Sequence, residues 1–91
     1  MSVYVDALAV YGNWRYGKSS HMIADSLVEL HAMARVIGMK PVWFQASPPA
    51  SFPHYDLTEM RRYRALAHGA IELSRKEFVD KMRALRVQSP T

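Results

Sequence analysis

The sequence predicts a small α/β domain built on a three-stranded parallel sheet, and three observations carry that prediction. Short β-rich apolar runs alternate with longer amphipathic stretches. The amphipathic stretches open at capping residues and stop at glycines. The resulting order is β-α-β-α-β-α, which implies right-handed crossovers and a Rossmann-like unit of two or three layers. Ninety-one residues suit one domain. It is assigned to 1–88, with 89–91 as a disordered tail.

The first strand is expected at Val3–Val5, ending at Asp6. A connection over 7–24 follows, long enough to suggest function. Asp25 and Ser26 open the first helix, with Ser26 and Glu29 at capping-box spacing. Leu27, Leu30, Ala34 and Ile37 recur at helical period, and Gly38 ends the helix. Pro41 and the run Val42-Trp43-Phe44 predict a second strand ending near Gln45. The proline-rich stretch 46–57 is a loop, and Asp56 or Thr58 caps the second helix. Met60, Tyr63, Leu66 and Ala67 form its inner face, Arg61, Arg62 and His68 point away, and Gly69 stops it. Ala70–Leu73 is the third strand. Ser74 and Glu77 then open a last helix packed through Phe78, Met82 and Leu85.

Composition narrows the function classes. Hydrophobic residues at 49% and charged residues at 22% are ordinary for a globular domain. The chain has no cysteine, which excludes disulfides, thiol nucleophiles and cysteine zinc sites. No apolar run reaches membrane-spanning length and no secretory signal is expected, so a cytoplasmic protein of a bacterium or a phage-infected cell is anticipated. A net charge of +4 points to anionic partners.

In a parallel sheet both long loops, together with Asp6, Gln45 and Ser74, gather at the C-terminal strand edge where α/β proteins bind ligands. Two constellations lie there. Gly12–Ser19 fits the G-x-x-x-x-G-K-[ST] pattern, with Arg15, Lys18 and Ser19 as anion-binding candidates. Trp14, Arg15 and Tyr16 are bulky for a tight phosphate nest, so a looser anion loop is preferred to a triphosphatase loop. The second constellation is His21, His54 and Asp56, with Asp6 beside them. These groups suit acid–base catalysis or a divalent ion, but the spacing lacks a helical histidine pair and no metal is assigned. Trp14, Tyr16 and Tyr55 are candidates for stacking a base. His31 is expected as a hydrogen-bonded packing residue, and His68 as a helix-end imidazole.

The pieces Val3-Tyr4-Val5-Asp6, Gly17-Lys18, His21-Met22-x-Ala24-Asp25, Glu29-Leu30-His31, Trp43-Phe44, His54-Tyr55-Asp56-Leu57 and Gly69-Ala70 occur in one order. Together they resemble a small bacterial and phage family of unknown function, family 4031, over nearly the whole chain. The resemblance implies a basic residue at Lys18 without a regular serine after it, and it brings no activity.

The leading expectation is a binding module for a nucleotide-derived or phosphate-bearing small molecule, with sequestration of a host signalling nucleotide by a phage as the suggested use. Arg15 and Lys18 would hold the anion, and His21, His54 and Asp56 would read polar groups. The alternatives are a small hydrolase or transferase cleaving a phosphoester or N-glycosidic bond through Asp6, His21, His54 and Asp56, or a nucleic-acid accessory protein using Arg61, Arg62, Arg64, Arg75 and Lys76. Val28 and Val36 lie off the inner face of the first helix, which favours a homodimer. The cofactor is left open.

Overall fold

In the computed structural model, residues 2–10, 17–46 and 52–88 are described. The elements are β1 (Val3–Val5), β2 (Ala9–Val10), β3 (Lys18–Ala24), α1 (Leu27–Val36), a 3-10 turn (Pro41–Trp43), β4 (Tyr55–Leu57), α2 (Glu59–Ala67), β5 (Ile71–Glu72) and α3 (Arg75–Gln88). The predicted tail at 89–91 lies outside the described residues.

The α/β class holds, but the sheet is five-stranded and mixed, not three-stranded and parallel. Among the described strands only β1 and β5 run parallel, with Tyr4 opposite Ile71. These are the first and third expected strands. The organising strand is β3, antiparallel to β1, β2 and β4. It lies within the stretch expected to be a loop. Its polar opening, Lys18-Ser19-Ser20-His21, hides the β signal, yet Ser19 and Ser20 are both buried. Burial is tolerated because the Ser20 hydroxyl lies 3.0 Å from both the carbonyl and a carboxylate oxygen of Asp6.

The strand expected over 42–45 is instead the 3-10 turn. Pro41 at its first position has no N–H to give a ladder, and its fixed φ suits a helical start. Val42 is 81% exposed, and of this apolar run it is Phe44 that packs against the core.

The helix caps and stops are local and hold, but the inner face expected for α2 does not: Met60, Tyr63 and Ala67 are exposed, and Ala65 is the buried residue. Ser26 Oγ accepts the N–H of Glu29, and Thr58 Oγ1 that of Arg61. Ser74 and Glu77 form a reciprocal capping box before α3. Asp56 is therefore a strand residue, not a cap. Gly38 and Gly69 take φ of +84° and +99°, left-handed values that end α1 and α2.

Strand alternation then makes three layers. Val3, Val5, Met22, Ala24, Tyr55 and Leu57 face α1 and α2, packing on Leu30, Ala34, Ile37 and Ala65. Tyr4 and Ile23 face the other way, onto Phe78, Met82 and Leu85 of α3. Leu30 and Ile37 are essentially inaccessible, and truncating either to alanine should cost about 2–5 kcal/mol. His21 shares the α3 face with Ile23, because residues two apart on a strand point the same way.

Candidate functional site

The site begins with a register fault in the sheet. Val5 pairs with Met22 and Ala9 with Ser19, so four steps on one side answer three on the other. The extra residue makes a bulge just after β1. Asp6 N–H still donates to His21 O at 3.2 Å. The return bond is made by the side chain: Asp6 Oδ1 accepts the His21 N–H at 2.7 Å. The displaced Asp6 carbonyl accepts from Arg62 Nε at 2.9 Å, and the Arg62 guanidinium also pairs with Glu72. Arg62 was expected on a solvated face; its side chain is only 12% exposed and ties α2 to the end of β1.

Asp6 Oδ2 lies 2.9 Å from His21 Nδ1. A carboxylate can only accept, so the neutral ring carries its proton on Nδ1 and presents Nε2 as an acceptor. Across the antiparallel pair His21 faces Asp56, its direct partner on β4. His54 precedes Asp56 by two and shares its face, held by a bridge to Gln45. His54 Nδ1 donates to the Phe52 carbonyl at 2.6 Å, so in the neutral ring its Nε2 also presents a lone pair. Asp56 Oδ2 accepts from Gln45 Nε2 at 2.6 Å. Asp56 Oδ1 is thereby turned inward, 3.3 Å from His54 Nε2 and 3.7 Å from His21 Nε2. It is buried and accepts no well-formed hydrogen bond. The two imidazoles meet edge to face with centroids 5.5 Å apart.

The electrostatics follow from these contacts. Burial works to raise the Asp6 pKa, but the bonds from the His21 ring, the His21 backbone and Ser20 together hold it below its ordinary value. The Asp56 carboxylate raises His54, against partial burial. His54 in turn lowers Asp56, with Gln45 assisting against desolvation.

Asp6, His21 and His54 open onto a cavity of about 170 Å³ between the sheet and α3, lined also by Phe52, Arg75 and Phe78 among others. Arg75 is the first residue of α3 and is exposed. Asp56 instead lines a wider cleft of about 620 Å³, together with Gln45 and Arg61 and beside Trp43.

The structure brings together Asp6, His21, His54 and Asp56 as expected, but by cross-strand pairing and not by loops leaving parallel strands. Lys18 and Ser19 open β3, so the strand-to-helix context of a phosphate loop is not met. Trp14, Arg15 and Tyr16 lie outside the described residues. Tyr55 does not join the site: it is buried on the opposite face, its hydroxyl 2.8 Å from His31 Nδ1. His31 is the packing residue expected, and His68 Nδ1 bonds the Arg64 carbonyl at a helix end. Sequence reasoning missed Ser20 and the Phe52 carbonyl as supports, and placed Arg75 only in a nucleic-acid face. The alternation His54-Tyr55-Asp56-Leu57, polar then apolar, was the available strand signal.

No described helix is long and apolar enough to cross a membrane. No curated protein and no solved structure matches the chain. A family model does match, over residues 3–85, and the chain belongs to that family, described as Protein of unknown function (DUF4031).

Proposed function

We propose that the cavity is the active site of a small hydrolase or transferase acting on a phosphate-bearing or similarly anionic small molecule. One observation carries this reading: Asp6 fixes the His21 ring by Nδ1, aiming Nε2 toward Asp56, beside a cavity that Asp6, His21 and His54 line. A carboxylate-oriented imidazole is the arrangement that moves a proton in general acid–base catalysis. Arg75 at the rim and the net charge of +4 supply attraction for an anion. A cavity of about 170 Å³ suits the phosphate head of a substrate, not a whole nucleotide. The remainder would extend outside.

The direct test is ³¹P NMR of phosphomonoesters, phosphodiesters and nucleotides incubated with purified protein, with and without divalent ions. Turnover should fall about a hundredfold or more in His21→Asn, while Arg75→Ala should act mainly on KM. If every compound returns unchanged, or His21→Asn keeps full activity, catalysis at this site is wrong. Phosphate bound tightly and returned intact would instead favour a binding module, the reading that the basic charge alone supports. Val28 and Val36, both exposed, support a homodimer. Sedimentation at high concentration tests it, and a mass of 10.4 kDa would refute it.

A further inference from the structure

We propose that His21, His54 and Asp56 form a site for one divalent transition-metal ion, with two imidazole nitrogens and one carboxylate oxygen as donors. The proposal stands apart from the phosphate reading, since it concerns what the side chains hold and not what they turn over.

The geometry carries it. One donor atom from each residue lies within 4.8 Å of the other two. A tetrahedral ion with bonds of about 2.0–2.1 Å spans about 3.4 Å between donors. Asp56 Oδ1 already stands 3.3 Å from His54 Nε2 and 3.7 Å from His21 Nε2. Two of the three donor separations thus lie close to the coordination value, and the third is within 4.8 Å.

Protonation is arranged for the same end. His21 and His54 each have Nδ1 committed, to the Asp6 carboxylate and the Phe52 carbonyl, which directs both Nε2 lone pairs inward. Gln45 engages the outer oxygen of Asp56 and leaves Oδ1 facing the rings. Each donor therefore has a supporting partner of the kind that orients metal ligands. Asp56 Oδ1 adds to this: it is buried without a well-formed hydrogen bond, His54 Nε2 standing 3.3 Å away, and a bound cation would serve it at close range.

The donor set selects the ion. Two imidazoles and one carboxylate suit Zn²⁺, Fe²⁺, Co²⁺ or Ni²⁺, while Mg²⁺ and Ca²⁺ prefer all-oxygen shells. Three protein donors leave a coordination position for water or substrate at the cavity wall. Asp6 is a positioning residue here, acting through His21.

The test uses the full chain freed of metal by a chelator and titrated with Zn²⁺ by calorimetry and with Co²⁺ by visible absorption. One ion per chain is expected, with d–d bands of a four- or five-coordinate Co²⁺. His21→Asn and His54→Gln should each weaken Zn²⁺ binding by about a hundredfold or more, and Asp6→Asn by about ten- to a hundredfold. His68→Asn, at the exposed end of α2, should leave affinity unchanged. Should a site variant fail to fold, ¹⁵N NMR of the wild-type imidazoles decides. Zn²⁺ should shift Nε2 of His21 and His54 and spare His31 and His68. No Zn²⁺ binding up to low-millimolar concentration, or binding that leaves both Nε2 signals in place, overturns the proposal. Inorganic phosphate titrated into the metal-free protein reports on the anion reading separately.

Discussion

Asp6 grips His21 twice, its Oδ1 taking the backbone N–H at 2.7 Å and its Oδ2 standing 2.9 Å from the ring Nδ1. One side chain thus completes a broken ladder and sets the tautomer of the central imidazole. Asp6→Ala would take away the side-chain acceptor of the His21 N–H, while the buried Ser20 hydroxyl keeps the Asp6 carbonyl. The expected loss is about 1–3 kcal/mol. In a domain of this length each kcal/mol lowers Tm by roughly 4–8 °C. Calorimetric melting measures it, and a Tm within about 2 °C of wild type would show that the pairing contributes nothing to folding.

The same cluster predicts how stability varies with pH in protein freed of divalent ions. Asp6 and Asp56 sit below their ordinary value of 3.8, and His54 sits above 6.5. A depressed carboxyl stabilises the fold above its unfolded pKa, and that contribution is lost as pH falls through the folded value. A raised imidazole stabilises fully below its unfolded pKa, and that contribution is lost as pH rises through the folded value. Thermal stability should therefore peak between about pH 4 and 6.5 and fall on both sides. His54→Gln should flatten the alkaline fall, while the part of the acid fall due to Asp6 remains. A wild-type Tm that climbs from pH 7 to 9 would contradict the linkage.

What the sequence disclosed depended on how local each cause was. The capping boxes at Ser26 and Ser74 and the stops at Gly38 and Gly69 involve residues within one turn, and all were legible. So were β1 and β5, short apolar runs expected as parallel strands, though within an all-parallel sheet and without their pairing being named. Strand β3 was not, because its buried Ser20 is satisfied by Asp6, fourteen residues away. The run Val42-Trp43-Phe44 misled for the opposite reason: apolar content outweighed the proline at its start. His21, His54 and Asp56 were found by residue type, but the cause of their meeting is the register His21 to Asp56. Reading 54–57 as a strand would also have put Tyr55 on the far face.

That far-face position yields a separate prediction. Tyr55 hydrogen-bonds His31 and packs against Phe44, with ring centroids 5.5 Å apart. Tyr55→Phe removes the hydroxyl and keeps the ring, so it should cost about 1 kcal/mol. It should leave metal and phosphate titrations at wild-type values. A Tyr55→Phe protein that melts normally but loses ligand would return Tyr55 to the site.

Arg62 offers the sharpest test of the way α2 supports the site. Its Nε donates to the Asp6 carbonyl and its guanidinium reaches Glu72, so one planar group spans the bulge and β5. A lysine cannot reproduce that fork, because an ammonium is a point charge on a flexible stem. Glu72 is largely exposed, so most of the value lies in the bond to the Asp6 carbonyl. Arg62→Lys and Arg62→Met should each destabilise by about 1–3 kcal/mol, and Glu72→Gln by under about 1 kcal/mol. Denaturant midpoints for the three variants give the comparison. If Arg62→Lys is neutral, the guanidinium does not brace the bulge, and the cluster must be held by Ser20 and the strand pairing alone. If instead Glu72→Gln matches Arg62→Met, the salt bridge dominates and the carbonyl bond is secondary.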